Sequence, residues 1–210
     1  MLTLSECEKD ISEILSSLPQ AEIKHMRRVG ALVELLSKKM YESKYLEESK
    51  YFGEAAFFHD IGKAWVPTEI LTKPDRLTEK EKSLMFQHPL FAKRLFDRND
   101  DGVVKGVPKH LIPLVIQSSV YHHEWWNGAG YPYGISYDAI PLIARITTIC
   151  DAYDAMTSNR VYRRAHTHAY ACQQIEENMG IQFAPDLAHT FLNHEAEFAT
   201  VLNVKKISCF

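Results

Sequence analysis

Apolar residues in this 210-residue chain recur at three- and four-residue spacing in one segment after another, and nowhere do they form a convincing alternating run. Residues three and four apart share one face of an α-helix, whereas strands need a period of two, so the pattern predicts an all-α fold. Residues 3–18 place Leu4, Cys7, Ile11, Ile14, Leu15 and Leu18 on such a face, with Ser5 and Glu8 as a capping box and Pro19 as the stop. A second stripe over residues 20–41 holds Met26, Val29, Val33, Leu36 and Met40, with His25 in line with Val29, Leu32 and Leu36. A third pattern over residues 46–61 ends in the apolar run AAFFHDIG, and Gly62, Pro67 and Pro74 make residues 62–77 a loop with room for one turn of helix. Thr78 with Glu81 opens a helix expected to run unbroken to about Phe96, with His88 in its middle. After a polar loop at 97–109, residues 110–123 read as a helix with Pro113 in its first turn. A glycine-containing loop leads to Pro141, which opens the strongly apolar helix PLIARITTICDAYDAMTS, and two more patterns follow at 167–179 and 185–200. The expected layout is an amphipathic helix at 1–20 for capping or partner contact, a main body at 21–200 and a tail at 201–210.

Composition narrows the function. A formal net charge of -3 argues against a long groove for a nucleic-acid polymer and leaves room for a small anion held by local charge. No apolar run is long enough to span a bilayer, and the acidic start MLTLSECEKD does not have the form of a signal peptide. Cys7, Cys150, Cys172 and Cys209 are widely spaced with no CxxC pair, which fits a reducing cytoplasm and neither a disulfide framework nor a zinc knuckle.

Ten histidines are a rich supply, and their placement carries the chemistry. His59 and Asp60 follow the apolar run AAFF, where an unpaired carboxylate would be costly. On an α-helix adjacent side chains diverge by about 100°, so both can reach one ion at the flank between them. His122 and His123 repeat the arrangement beside Glu124. Asp151 lies on the apolar face of IARITTICDAYDAM, where a carboxylate wants a cation or strong donors. His25 and His88, taken singly, read more readily as satisfied core histidines than as ligands. Seven metal-capable residues on five helical segments are harder to explain by packing, and imidazole with carboxylate suits first-row divalent ions. Lys63 falls one turn after the His-Asp pair, within reach of a substrate oxygen. Arg160, Arg163 and Arg164 form either a solvated face or a phosphate holder. Gly128 and Gly130 permit close backbone approach to a ligand, Tyr131 offers a flat face for a base, and Pro132 stiffens the turn.

Together HDIGK at 59–63, His88 in MFQHPLFA, HHEWWNGAGYP at 122–132 and ARITTICDAYDAMTSNRVYR at 144–163 resemble the HD-GYP domain over about residues 21–195. That family is a branch of the HD metal-dependent phosphohydrolases and hydrolyses cyclic di-GMP. The resemblance implies a helical bundle around two or three divalent ions, iron or manganese. It implies metal ligation by His59, Asp60, His88, His122, His123 and Asp151, with His25 of the pattern His25–x–x–Arg28 beside them and Asp60 as the bridge. Asp60 and Lys63 would be the catalytic pair, with Lys63 at the scissile phosphate, Arg160 and Arg163 on phosphate, and Gly130, Tyr131 and Pro132 on the nucleotide.

The resemblance further implies a cyclic dinucleotide as substrate and linear pGpG and then GMP as products, while the amphipathic helix at 1–20 suggests a homodimer or a regulatory protein as partner. The alternatives are a catalytically silent cyclic-dinucleotide receptor and an HD phosphohydrolase acting on another nucleotide. The chain departs from the family at Asn127 and Ala129, where Asp and Ser are frequent, and at Ala184, which replaces the acid of a late Phe-Asp-Pro pattern. Three-metal members carry a glutamate one turn before the early histidine, where this chain has Ala21, with Glu22 next to it.

Overall fold

In the computed structural model, which describes residues 10–41, 47–97, 104–159 and 164–204, the helical periods become eleven α-helices among the described residues, joined by short 3-10 turns and with no β-strand. Helix α1 (Ile11–Ser16) is capped by Asp10, whose side chain accepts from the Ser12 N–H. The capping box expected at Ser5 and Glu8 lies outside the described residues. After Pro19 comes α2 (Gln20–Tyr41), whose stripe of Met26, Val29, Leu32, Val33 and Leu36 is fully buried. Ile11, Ile14 and Leu18 join the same core.

The pattern expected as one helix over 46–61 is broken up. A 3-10 turn (Glu47–Tyr51) leads into the short α3 (Phe52–Ala56), and the chain then winds through residues 57–60 into a second 3-10 turn (Ile61–Trp65). The bonds there run from residue i to i−3: His59 N to Ala56 O, Ile61 N to Phe58 O and Lys63 N to Asp60 O. At about three residues per turn, neighbouring side chains diverge more widely than on an α-helix. Asp60 itself sits at φ −101°, ψ 11°, in the sparsely populated bridge between the main backbone regions.

Residues 62–77, expected as loop with a turn of helix, contain that 3-10 turn and the four-residue α4 (Thr68–Leu71). The helix expected from Thr78 to Phe96 is two helices, α5 (Glu79–Met85) and α6 (His88–Asp97). The capping box of Thr78 and Glu81 is formed in both directions. The break at Phe86–Gln87 has a physical cause in Pro89, which lacks an N–H and disfavours helical geometry in the residue before it. His88 therefore opens a helix rather than sitting in the middle of one.

A 3-10 turn (Lys109–Leu111) precedes α7 (Ile112–Tyr121), with Pro113 in its first turn as expected. After the glycine loop and a 3-10 turn (Tyr137–Ala139), α8 (Leu142–Thr157) runs through the centre, burying Ile143, Ile146, Ile149, Cys150 and Tyr153. The last pattern divides at His194, so the body ends in α9 (His168–Glu177), α10 (Pro185–Asn193) and α11 (Glu195–Val204). Helix α2 packs along α3 and α8, α7 lies between α6 and α8, and α10 and α11 close over α2. No helix of the described residues is long and apolar enough to cross a membrane.

Candidate metal centre

The ends of α3, α6, α7 and the middles of α2 and α8 meet at one buried point. Gly62 makes the first approach: a Cβ there would stand 1.9 Å from the carbonyl oxygen of His88, so only glycine lets the 59–63 turn press against the start of α6. That contact carries His88 to Asp60. Two groups of donor atoms result, Asp60 with His88, His122 and His123, and His25 with His59 and Asp151.

Asp60, a member of the first group, also faces the second. Its Oδ1 lies 3.2 Å from Nε2 of His88 and 3.7 Å from Nε2 of His122. Its Oδ2 lies 3.3 Å from Nε2 of His59 and 3.4 Å from Nε2 of His25. Asp151 Oδ1 completes the second group at 3.1 Å from His25 Nε2 and 4.0 Å from His59 Nε2. The carboxylate of Asp60 thus turns one oxygen to each half, with the two halves built from nitrogen and oxygen donors alone.

The histidines are held so that Nε2 faces inward. Nδ1 of His59 donates to Ala56 O at 2.9 Å, that of His88 to Met85 O at 2.8 Å, and that of His122 to Ser118 O at 3.0 Å. A carbonyl can only accept, so each of these Nδ1 atoms carries a proton and Nε2 is the nitrogen left for an ion. His25 is held differently, with Nδ1 2.7 Å from Oδ2 of Asp154. Asp154 also takes a two-pronged grip from Arg28, Nε at 2.5 Å and Nη2 at 2.9 Å. Thr148 Oγ1 donates to His122 O at 2.7 Å and Ser119 Oγ to Phe58 O at 2.9 Å, which lock the backbones at His122–His123 and before His59–Asp60.

Electrostatics favour a cation. Burial alone would raise the pKa of Asp60, yet Lys63, His59 and His25 hold it well below the carboxylate range. Asp151 is likewise held well down against burial, by His25 and His59. Burial, with His123 and His59 nearby, pushes His122 well below the usual imidazole value, and burial with His88 pushes His123 down to about 3. These two are neutral at physiological pH, the form that binds metal. His25 goes the other way: burial opposes its charge, but Asp151, Asp154 and Asp60 outweigh it. Meanwhile His59 Nε2 and Asp60 Oδ1 are buried without a hydrogen-bond partner of good geometry among the described residues. Buried polar atoms are rarely left so, and an orphaned imidazole nitrogen and carboxylate oxygen turned into the same buried space fit divalent ions.

Lys63 is half-buried between two carboxylates, 2.7 Å from Asp60 Oδ2 and 2.9 Å from Glu22 Oε2. Burial works against its charge, but Asp60 and Glu22 hold it fully ionised. Glu22 is engaged with Lys63, and neither donor group includes it.

The glycine loop folds back on the centre. A Cβ on Gly130 would stand 2.3 Å from Trp125 N and 2.4 Å from His123 O, so the loop closes only with glycine there. The Tyr131 N–H donates to His123 O at 3.1 Å, and the Tyr131–Pro132 bond is cis. The face of Tyr131 expected to be free for a base is engaged instead. Its ring stacks on His123 at 4.7 Å between centroids and on Phe86 at 4.6 Å. Phe86, 48% exposed at the break between α5 and α6, is the outward aromatic surface of that stack. Glu124 is buried and accepts from the Tyr133 N–H at 2.7 Å, in keeping with support of the loop. Trp126 and Asn127 donate their N–H groups to Gln182 O and Ile181 O, and Arg145 lies over the Trp126 ring, which anchors the loop from behind.

The structure thus brings together His25, His59, Asp60, Lys63, His88, His122, His123 and Asp151, with Gly130, Tyr131 and Pro132 at the rim. Arg160 and Arg163 lie outside the described residues. Sequence reasoning does not single out Asp154, Thr148 or Phe86. Asp154 could be found from its place one turn after Asp151 on an apolar face, opposite the His-x-x-Arg pattern; Phe86 and Thr148 carry no such signal.

Residues 9–187 match the family model described as HD domain. A probable cyclic di-GMP phosphodiesterase of Vibrio cholerae is 36% identical over 143 residues, 68% of this chain and 32% of that protein. A cyclic di-GMP phosphodiesterase of Thermotoga maritima is 32% identical over 198 residues, 94% of this chain and 51% of that protein. The chain spans about a third to a half of the length of these curated relatives. The solved HD domain of the L. monocytogenes phosphodiesterase PgpH, in complex with cyclic-di-AMP, superposes with a TM-score of 0.61 at 17% identity, covering 95% of this chain and 97% of that one. At that identity the likeness speaks for the fold.

Proposed function

The chain belongs to the HD domain family, and from that premise we propose that it is a metal-dependent phosphodiesterase that opens a cyclic dinucleotide, cyclic di-GMP foremost, to linear pGpG and then GMP. The observation that carries this reading is Asp60, whose two oxygens each face one donor group. His88, His122 and His123 would hold one ion with Asp60, and His25, His59 and Asp151 the other. Divalent ions held there would supply Lewis-acid polarisation of the phosphate and a water acidic enough to attack at neutral pH.

The protein's own groups do the rest. Water adds across one P–O bond and the ring opens to a linear dinucleotide with a terminal phosphate. Lys63, ionised and adjacent to Asp60, offers an ammonium to the negative charge that builds on phosphate or leaving oxygen. The rim residues Gly130, Tyr131 and Pro132 bound the nucleotide side, where a base would meet Phe86 rather than the covered face of Tyr131. Arg160 and Arg163 are the proposed holders of the second phosphate. Two ions fit this chain better than three, because Ala21 offers no ligand and Glu22 is engaged with Lys63. The all-N/O donor set supports iron or manganese. We place the activity in the cytoplasm, on the strength of cysteines with no CxxC spacing. For residues 1–20 the capping reading is supported by Ile11, Ile14 and Leu18 in the common core. The case for a homodimer or regulatory protein partner rests on the amphipathic sequence alone.

The test is a panel of cyclic dinucleotides, including cyclic di-GMP and cyclic GMP-AMP, incubated with anaerobically purified, metal-loaded chain. Metal-dependent appearance of linear dinucleotide supports the reading. Tight binding of a cyclic dinucleotide with no product after long incubation would instead make the protein a silent receptor.

A further inference from the structure

Away from the centre, a second place gathers metal-ligating side chains. His168 opens α9, Cys172 lies four residues on and so on the same face, and Glu195 opens α11. Cys172 Sγ is 3.6 Å from Nε2 and 3.7 Å from Nδ1 of His168, and His168 Nε2 is 3.8 Å from Glu195 Oε2. One donor atom from each of the three lies within 4.8 Å of the other two. Tetrahedral coordination with bonds of about 2.0–2.3 Å sets donors roughly 3.3–3.8 Å apart, which these spacings approach.

We propose that His168, Cys172 and Glu195 form a further cation site that takes a thiophilic divalent ion of the zinc class, with the fourth position open to water. A thiolate, an imidazole and a carboxylate are a donor set zinc accepts, whereas the phosphodiesterase centre offers no sulfur. The imidazole is braced for the task. The buried Tyr153 hydroxyl lies 2.9 Å from His168 Nδ1, where it can accept that N–H and leave the Nε2 lone pair toward Glu195. Such a second partner on the far ring nitrogen is the usual support of a metal-bound histidine. Glu195, half exposed, leaves a path to solvent, while Cys172 is buried. Once bound, the ion ties α9 to α11 and, through Tyr153, to α8.

The experiment loads the chelator-treated full chain with cobalt(II) and reads the sulfur-to-cobalt charge-transfer band in the near ultraviolet. The expected result is a band equivalent to one thiolate–cobalt bond per chain, absent in Cys172→Ser, retained in Cys150→Ser, and requiring at least tenfold more cobalt in Glu195→Gln. Zinc bound per chain on dialysis should fall by one equivalent in Cys172→Ser with hydrolysis of cyclic di-GMP unchanged. No band in the unsubstituted chain, although cobalt fills the histidine-rich centre, would overturn the proposal. So would a band that survives in Cys172→Ser. Because the unsubstituted chain and the surface variant Glu195→Gln both give readings, the test does not hang on whether Cys172→Ser folds, and it stands or falls apart from the phosphodiesterase reading.

Discussion

Asp154 is the residue whose effect is easiest to separate from direct contact with an ion. It touches His25 and Arg28 only from behind, so its loss leaves the inward donors in place but releases the ring that carries one of them. Asp154→Asn should weaken metal binding roughly 10–100-fold, as removal of outer-shell partners does elsewhere; titration of the chelator-treated chain with manganese checks this, and unchanged affinity would count against the role. A second residue-scale expectation concerns acid. His123 has its folded pKa depressed to about 3, so between its unfolded value near 6.5 and 3 the unfolded chain binds the extra proton. The contribution of His123 to stability is therefore full above about pH 6.5 and is lost as pH falls toward 3. Denaturant melts of the metal-free chain at a series of pH values should show this slope, reduced in His123→Gln. A slope of the opposite sign would contradict the burial argument.

At the scale of elements, two positions test why the pieces meet as they do. Gly62→Ala sets a methyl group 1.9 Å from His88 O, so α6 has to move away from the 59–63 turn. A loss of about 1–3 kcal/mol of stability is expected, together with weaker metal binding at the His88 half. Calorimetry and metal titration read the two effects separately. Ala184 is the N-cap of α10 and makes no side-chain capping bond. Ala184→Ser should supply one and raise stability by about 1 kcal/mol, visible as a higher Tm. These elements also show where sequence reasoning reaches its limit. The capping box at Thr78, the proline start of α7 and the buried stripe of α2 are local chemistry, and local chemistry is written in the sequence. The breakup of 47–65 into short turns is not, because a run such as AAFFHDIG is equally apolar in α and 3-10 geometry. The split at Phe86–Gln87 was legible in principle from Pro89, whose two effects on its neighbours outweigh a continuous apolar period.

At the scale of the whole molecule, the site is a product of topology. Its donors come from residues as far apart in the chain as His25 and Asp151, and five elements must pack before any of them share an ion. The types and neighbours of His59, Asp60, His122, His123 and Asp151 give them away, since ionisable groups beside apolar runs need partners. What the sequence withholds is which oxygen faces which histidine, and the covering of Tyr131 by His123 and Phe86, since both are contacts between distant segments. Asp60 is where the whole arrangement converges, so the most direct measurement is metal per chain and cyclic di-GMP turnover in Asp60→Ala against the unsubstituted protein. The account predicts two ions at the histidine-rich centre of the unsubstituted protein, counted apart from any ion at Cys172, and in Asp60→Ala a loss of at least one of them with turnover abolished. An Asp60→Ala protein that keeps both ions and full activity would contradict it.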